Sequence, residues 1–120
     1  MRCLIVLIFI LLFSKSNLLE AQERSIAREW NDMLLFSIKN DFARPTIHAR
    51  NLFHTSVAMY DIWSLFDPIA DPFLIGKTVN GFNIPYQETT YSVDKDSAIH
   101  QATSYACYRI LKERFKNSNK

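Results

Sequence analysis

Glycine is scarce in this chain, which has only Gly76 and Gly81 among its 120 residues. Loops that cradle phosphate groups and turn-rich β-sandwiches both need glycine, because it adopts positive φ angles at little cost. The scarcity therefore disfavours both of these structures and favours helices.

Charge of one sign is also lacking. The net charge is +2, and runs of like charge are short. Nucleic-acid-binding proteins usually concentrate lysine and arginine on one face, so nucleic acid is not an expected partner. The composition is 48% hydrophobic and 22% charged, which is typical of a folded globular protein and not of a disordered one.

Cysteine occurs only at Cys3 and Cys107. If the N-terminal segment is removed, Cys107 remains alone and cannot form an intramolecular disulfide, so stability must come from apolar burial. Its neighbours Ala106, Tyr108 and Ile110 predict a buried small hydrophobic residue and not a nucleophile.

The N terminus has the pattern of a secretory leader. Arg2 precedes an unbroken apolar run at 4–13, and Ala21 stands at a suitable cleavage position. This run is about half of the roughly 20 residues that a membrane-spanning helix needs. We predict that residues 1–21 are a signal peptide and that the mature chain is secreted or periplasmic. The alternative is an uncleaved leader that anchors the chain in a membrane, since Leu19 is an imperfect residue for the −3 position.

Three segments, at about 25–42, 45–66 and 94–116, carry helical periodicity and predict an all-α fold. Residues 67–91 between the second and third segments contain proline and glycine without a sustained alternation, which predicts a long irregular connection. A connection of this length is unusual in a compact domain. We therefore expect it to lie over neighbouring elements, and the three helices to form part of a larger helical bundle.

The boundaries of these helices are marked by capping residues. Ser25 is a suitable N-cap for the first helix, and Pro45 suits the first turn of the second. Asp94 and its acidic neighbours begin the third helix, and basic residues end it, so both ends complement the helix dipole.

Apolar stripes predict how the helices pack. The first helix has one at Ile26, Trp30, Met33, Leu34 and Ile38, and the third has small residues at Ala98, Ala102 and Ala106. The second helix has a wide and bulky stripe at Ala49, Leu52, Phe53, Ser56, Met59, Tyr60 and Trp63. Since it is apolar on most sides, we predict that the second helix is the most buried.

The sequence contains none of the common hydrolase or metal motifs that place histidine, cysteine or serine at fixed spacing. We interpret His48, His54 and His100 as structural residues. Arg44, His48, Arg50 and His54 are expected either to form a polar seam between helices or to face an anion. His54 and Asp61 are two turns apart, roughly 10 Å, which disfavours a catalytic dyad. No catalytic, cofactor-binding or metal-binding residue is predicted.

Four runs carry a family resemblance, at 26–35 (IAREWNDMLL), 40–63 (NDFARPTIHARNLFHTSVAMYDIW), 74–82 and 102–115. Together they resemble the N-terminal helical region of bacterial secreted proteins of the vanadium-dependent haloperoxidase and type-2 phosphatidic acid phosphatase superfamily. The resemblance implies a helical bundle and, in the intact relatives, a vanadate or phosphate site that serves halide oxidation or phosphoester hydrolysis.

The oxyanion-site motifs of that superfamily do not transfer to this chain. The lysine of its Lys-x6-Arg-Pro segment would fall on Ser37, although Arg44 and Pro45 match the end of the segment. The sequence has no Ser-Gly-His and no Arg-x5-His. We therefore expect residues 22–120 to be an incomplete, non-catalytic N-terminal scaffold of a haloperoxidase-like domain, without a vanadate site of its own. Its expected partner is the remainder of the bundle or another helical protein. The alternative is a small secreted or membrane-anchored helical interaction protein.

Overall fold

The computed structural model describes residues 24–86 and 93–118. The predicted signal peptide, residues 1–21, lies outside these ranges. Three helices dominate the described residues: α1 at Ile26–Lys39, α2 at Pro45–Ser64 and α3 at Lys95–Arg114. The all-α prediction is confirmed, with helix ends that differ from the predicted ones by no more than three residues.

The predicted helix starts are confirmed by hydrogen bonds. The Ser25 hydroxyl accepts a hydrogen bond from the backbone N–H of Arg28 at 3.3 Å, and the Asp94 carboxylate accepts one from Ser97 at 3.0 Å. Pro45 occupies the first turn of α2. These contacts satisfy backbone donors that the start of a helix otherwise leaves free.

The third helix packs against both of the others. The Trp30 indole donates to the Ser104 hydroxyl at 3.2 Å, and the Ser118 hydroxyl donates to the Asn40 carbonyl at 3.2 Å, so α1 runs parallel to α3. The second helix runs antiparallel to α3, because its residue His54 contacts Arg114 near the end of α3. The three helices therefore alternate in direction, and the long connection returns the chain from the end of α2 to the start of α3.

The prediction that α2 is the most buried helix is not confirmed, because α2 and α3 have four buried residues each and α3 contacts both of the other helices. The buried residues of α2 are all polar: Asn51, Thr55, Asp61 and Ser64. Much of its bulky stripe is exposed instead, with Leu52 at 39%, Phe53 at 54%, Tyr60 at 43% and Trp63 at 45% of their full accessible areas.

Helix geometry accounts for this division of α2 into two faces. At 3.6 residues per turn, Asn51, Thr55, Ala58 and Ile62 share one narrow face. The positions of the bulky stripe lie roughly 80° to 200° around the axis from that face. On α3 the buried residues are Ala98, Thr103, Cys107 and Leu111, three of which are small. Small side chains let helices approach closely, so α2 presents its narrow face to α3. The bulky stripe lies outside this contact, except at its end, where Met59, Tyr60 and Trp63 border the start of α3.

The connection after α2 contains a short β-hairpin that the sequence analysis did not predict. Strands β1 at Thr78–Val79 and β2 at Phe82–Asn83 pair antiparallel. The two turn residues between them have positive φ, 50° at Asn80 and 81° at Gly81. An Asn-Gly pair between short apolar segments favours this type of hairpin turn, and it is the signal that could have identified the strands.

Asp61 anchors the same connection to α2. Its side chain is 3% exposed, and its carboxylate oxygens accept hydrogen bonds from the backbone N–H groups of Phe73, Leu74 and Ile75 at 2.5, 3.0 and 3.2 Å. Further along, Lys77 forms an ion pair with Asp71 at 2.7 Å. The connection is thus held against the end of α2 and follows its surface.

Among residues 24–86 and 93–118, no helix is both long enough and apolar enough to span a membrane.

Candidate functional site

A wide concavity, which we call the basic cleft, lies between the first half of α2 and the second half of α3. Its volume is about 990 Å³. Four cations line it, together with one carboxylate and several uncharged side chains. The lining residues are Arg44, Ile47, Asn51, His54, Tyr105, Tyr108, Arg109, Ile110, Lys112, Glu113 and Arg114.

The central polar contact in the basic cleft joins the two helices. The Arg114 guanidinium donates to Nδ1 of His54 at 2.7 Å. Because a guanidinium can only donate, Nδ1 must carry the lone pair and Nε2 must carry the proton of a neutral ring. Burial, the charge of Arg114 and the charge of Arg50 lower the pKa of His54, in that order of importance. His54 is therefore held neutral, with its only ring lone pair already occupied.

A titration of His54 tests this arrangement. We expect its NMR midpoint to lie below the ordinary histidine value of about 6.5, because nearby cations and burial disfavour the imidazolium. Arg114→Gln should raise the midpoint by removing one charge and the donor to Nδ1. Arg28→Gln, on the exposed side of α1, is the control and should leave it unchanged. A wild-type midpoint above 6.5 would contradict the contact.

The other lining charges are held in different ways. Arg44 forms an ion pair with Asp41 at 2.6 Å, and this hydrogen bond is the main cause that lowers the pKa of Asp41. Lys112 lies over the Tyr108 ring at 5.5 Å, and Glu113 pairs with Lys116 at 2.6 Å. The lining therefore keeps an excess of positive charge.

The sequence analysis grouped Arg44, His48, Arg50 and His54, and the structure separates His48 from the other three. Arg44 and His54 line the basic cleft, and Arg50 is close enough to lower the pKa of His54. His48 is separate, with its Nε2 2.8 Å from the Phe42 carbonyl. Since that carbonyl accepts, Nε2 must donate, which leaves a lone pair on the buried Nδ1. The interpretation of His48 as structural is supported by this contact, whereas Arg44 and His54 share the lining of the basic cleft.

Cys107 and His100 have contrasting environments on α3. Cys107 is fully buried, and burial raises the pKa of its thiol to about 11. The predicted small hydrophobic role of Cys107 is confirmed, because a protonated and inaccessible thiol is a poor nucleophile. His100 is exposed, and it borders shallow grooves beside α1.

A second concavity, which we call the apolar groove, lies at the opposite end of the helices. Its volume is about 420 Å³, and it is bordered by the start of α1, the end of α2 and the start of α3. Met59, Tyr60 and Trp63 from the bulky stripe of α2 line it together with Ile26 and Ile99. The exposed apolar face of α2 therefore continues into a groove formed by all three helices.

The described part of the chain contains no cluster of three or more histidine, cysteine, aspartate or glutamate side chains that could hold a metal ion. The buried carboxylate of Asp61 is already engaged by backbone N–H groups. Asp67 accepts hydrogen bonds from Ile69 and Ala70, which lower its pKa. These two aspartates thus hold the backbone that follows α2.

Comparisons with protein-family models, curated proteins and solved structures gave no significant match for this chain.

Proposed function

We propose that this chain is an exported, non-catalytic helical scaffold of a vanadium haloperoxidase-like protein. The resemblance over residues 26–116 is the basis for proposing this family, and the signal-peptide pattern of residues 1–21 supports export. The observation that carries the scaffold role is the partly exposed bulky stripe of α2, which leads into the apolar groove. The connection contacts this stripe at Phe53 and Tyr60 and leaves about half of the area of its large side chains exposed. A further helix of the bundle would cover both.

The number of exposed large hydrophobic side chains supports a role in packing against a partner. Large hydrophobic side chains are more than half exposed on α1 and in the connection as well as on α2, as at Leu35, Phe36 and Phe73. The fully buried side chains are few, the largest of them being Leu34, Asn51, Thr55 and Cys107. Contiguous exposed apolar surface on a soluble protein usually marks an interaction site. Among the described residues, seventeen large hydrophobic residues are exposed, whereas four hydrophobic residues are buried.

The chemistry of the basic cleft supports a non-catalytic role. In the superfamily that the sequence resembles, a histidine must present a free lone pair to the oxyanion. The His54 lone pair is occupied by Arg114, and that of His48 is buried beside the end of α1. Neither ring is therefore available for attack.

We expect purified residues 22–120 to show no vanadate-dependent oxidation of halide by peroxide and no hydrolysis of phosphate esters. The measurement is dye bromination with and without added vanadate, together with release of nitrophenol from its phosphate ester. Peroxidation that requires vanadate and disappears in His54→Ala would contradict the proposal.

The nucleotide sequence beyond codon 120 distinguishes the scaffold from the small interaction protein. An open reading frame that encodes Ser-Gly-His and Arg-x5-His segments would support the scaffold. A stop codon at that point, with stable export of the short product, would favour the interaction protein.

A further inference from the structure

We propose that the basic cleft docks an acidic amphipathic helix, so that the helix which covers this side of the bundle carries glutamate or aspartate along its edges. This inference rests on the proposed scaffold function and adds the chemistry of the partner. It concerns a different surface from the bulky stripe of α2, because no residue of the stripe lines the basic cleft.

Charge complementarity is the first argument. Arg109, Lys112 and Arg114 line the basic cleft from the second half of α3, and none of them takes part in the ion pairs formed between described residues. Arg109 donates weakly to the Tyr105 hydroxyl at 3.4 Å, and Lys112 lies over Tyr108. Arg114 donates to His54, and its charge also lowers the pKa of the neighbouring Glu113. Unpaired cations facing one cleft attract carboxylates and disfavour basic partners.

The apolar part of the lining argues for a peptide segment and against a small anion. Ile47 and Ile110 line the cleft from opposite helices, and Tyr105 and Tyr108 expose 65% and 49% of their surfaces. Tyrosine and arginine are the residues most typical of protein interfaces, where flat rings and guanidinium groups give contact area together with hydrogen bonds. A volume of about 990 Å³ suits several side chains of a helix better than one inorganic ion.

A buried polar atom in the same lining has no partner. Asn51 is 1% exposed, and its Oδ1 makes no hydrogen bond within the described structure. Buried amide oxygens normally accept a hydrogen bond. A donor on a partner helix could satisfy this atom if the Asn51 side chain turns toward the basic cleft when the partner docks.

The test uses the full chain and a fluorescein-labelled synthetic peptide of about 18 residues, roughly 27 Å as a helix. The peptide carries leucine along one face and glutamate along both borders. Matched peptides carry glutamine or lysine in place of glutamate. Fluorescence anisotropy measures binding at low and high salt, and it remains usable if the protein self-associates. We expect the glutamate peptide to bind most tightly and to weaken as salt screens the charges.

Variants locate the interaction. Arg109→Gln with Lys112→Gln should weaken the glutamate peptide roughly threefold to tenfold, the effect of two partly exposed ion pairs. The matched control, Arg28→Gln with Lys39→Gln on α1, should have no effect. Arg109→Glu with Lys112→Glu should reverse the preference toward the lysine peptide, a gain that misfolding cannot produce.

Three outcomes would overturn the proposal. They are equal binding of the glutamate and glutamine peptides, no binding of any peptide, and displacement of the peptide by inorganic phosphate where chloride of equal ionic strength does not displace it. The last outcome would indicate a small-anion site. Each is distinguishable from failure of the scaffold proposal, which is tested by variants of the α2 stripe that leave these cations in place.

Discussion

We expect the isolated chain to self-associate through its exposed apolar surface, and Leu52→Gln combined with Trp63→Gln to make it largely monomeric. Both side chains belong to the exposed stripe of α2, and neither belongs to the buried set. Burial of one large apolar side chain is worth about 1.5–3 kcal/mol, and about 1.4 kcal/mol changes an equilibrium constant tenfold. We therefore expect the dissociation constant of self-association to rise at least about tenfold, as measured by sedimentation velocity. Binding of an apolar fluorescent dye should fall in parallel.

The control for this experiment is Ile69→Gln. Ile69 is the most exposed of the large hydrophobic residues, at 92%, and it lies in the connection after α2 and not on the stripe. The Ile69→Gln substitution removes a comparable apolar side chain. Unchanged self-association in this variant would therefore show that the α2 stripe is responsible for the self-association. The far-UV circular dichroism of all three proteins should remain helical. A wild-type monomer with a sharp, cooperative thermal transition would contradict the expectation, since it would mean that the small core suffices.

Asp61→Ala should release the connection from α2. The carboxylate holds three backbone N–H groups in a nearly inaccessible position. A hydrogen bond to a charged group contributes about 1.5–3 kcal/mol, and a buried donor left unpaired is costly. Hydrogen exchange of the Phe73, Leu74 and Ile75 amides should accelerate roughly tenfold to hundredfold.

A matched control is available in the same connection. Asp71 is also a carboxylate, but its side chain is 80% exposed and its ion-pair partner is Lys77. Asp71→Asn should leave the exchange of those three amides nearly unchanged, because exposed ion pairs contribute little. Asp61→Asn should fall between wild type and Asp61→Ala, since one acceptor oxygen remains. Equal exchange rates in all four proteins would show that other contacts hold the connection.

The structure has two different candidate interfaces. The basic cleft carries excess positive charge, and the apolar groove exposes apolar surface. In the proposed assembly, the first would select a partner by charge, and the second would add apolar burial. A scaffold that meets its partner through both surfaces would gain orientation from the charges and affinity from apolar burial. The peptide and stripe experiments measure these contributions separately.

The existence and limits of the helices could be predicted from the sequence because their signals are local. Ser25, Pro45 and Asp94 act on backbone groups within one turn, so no knowledge of distant residues was needed. The buried state of Cys107 followed from its apolar neighbours. The hairpin was missed although Asn80-Gly81 signals it, because strands of two residues each are too short to show alternation.

The cleft and the burial of α2 were decided by tertiary packing. His54 and Arg114 are 60 positions apart, and only the antiparallel pairing of α2 with α3 brings them together. Periodicity identified the bulky stripe of α2, but it could not say which face would meet α3. That choice depended on both helices: the small residues of α3 accept the narrow face with Asn51 and Thr55. The sequence by itself thus determined where the helices form, whereas the fit between helix surfaces determined which residues are buried. Packing depends on the shapes of two helices, and periodicity describes only one of them.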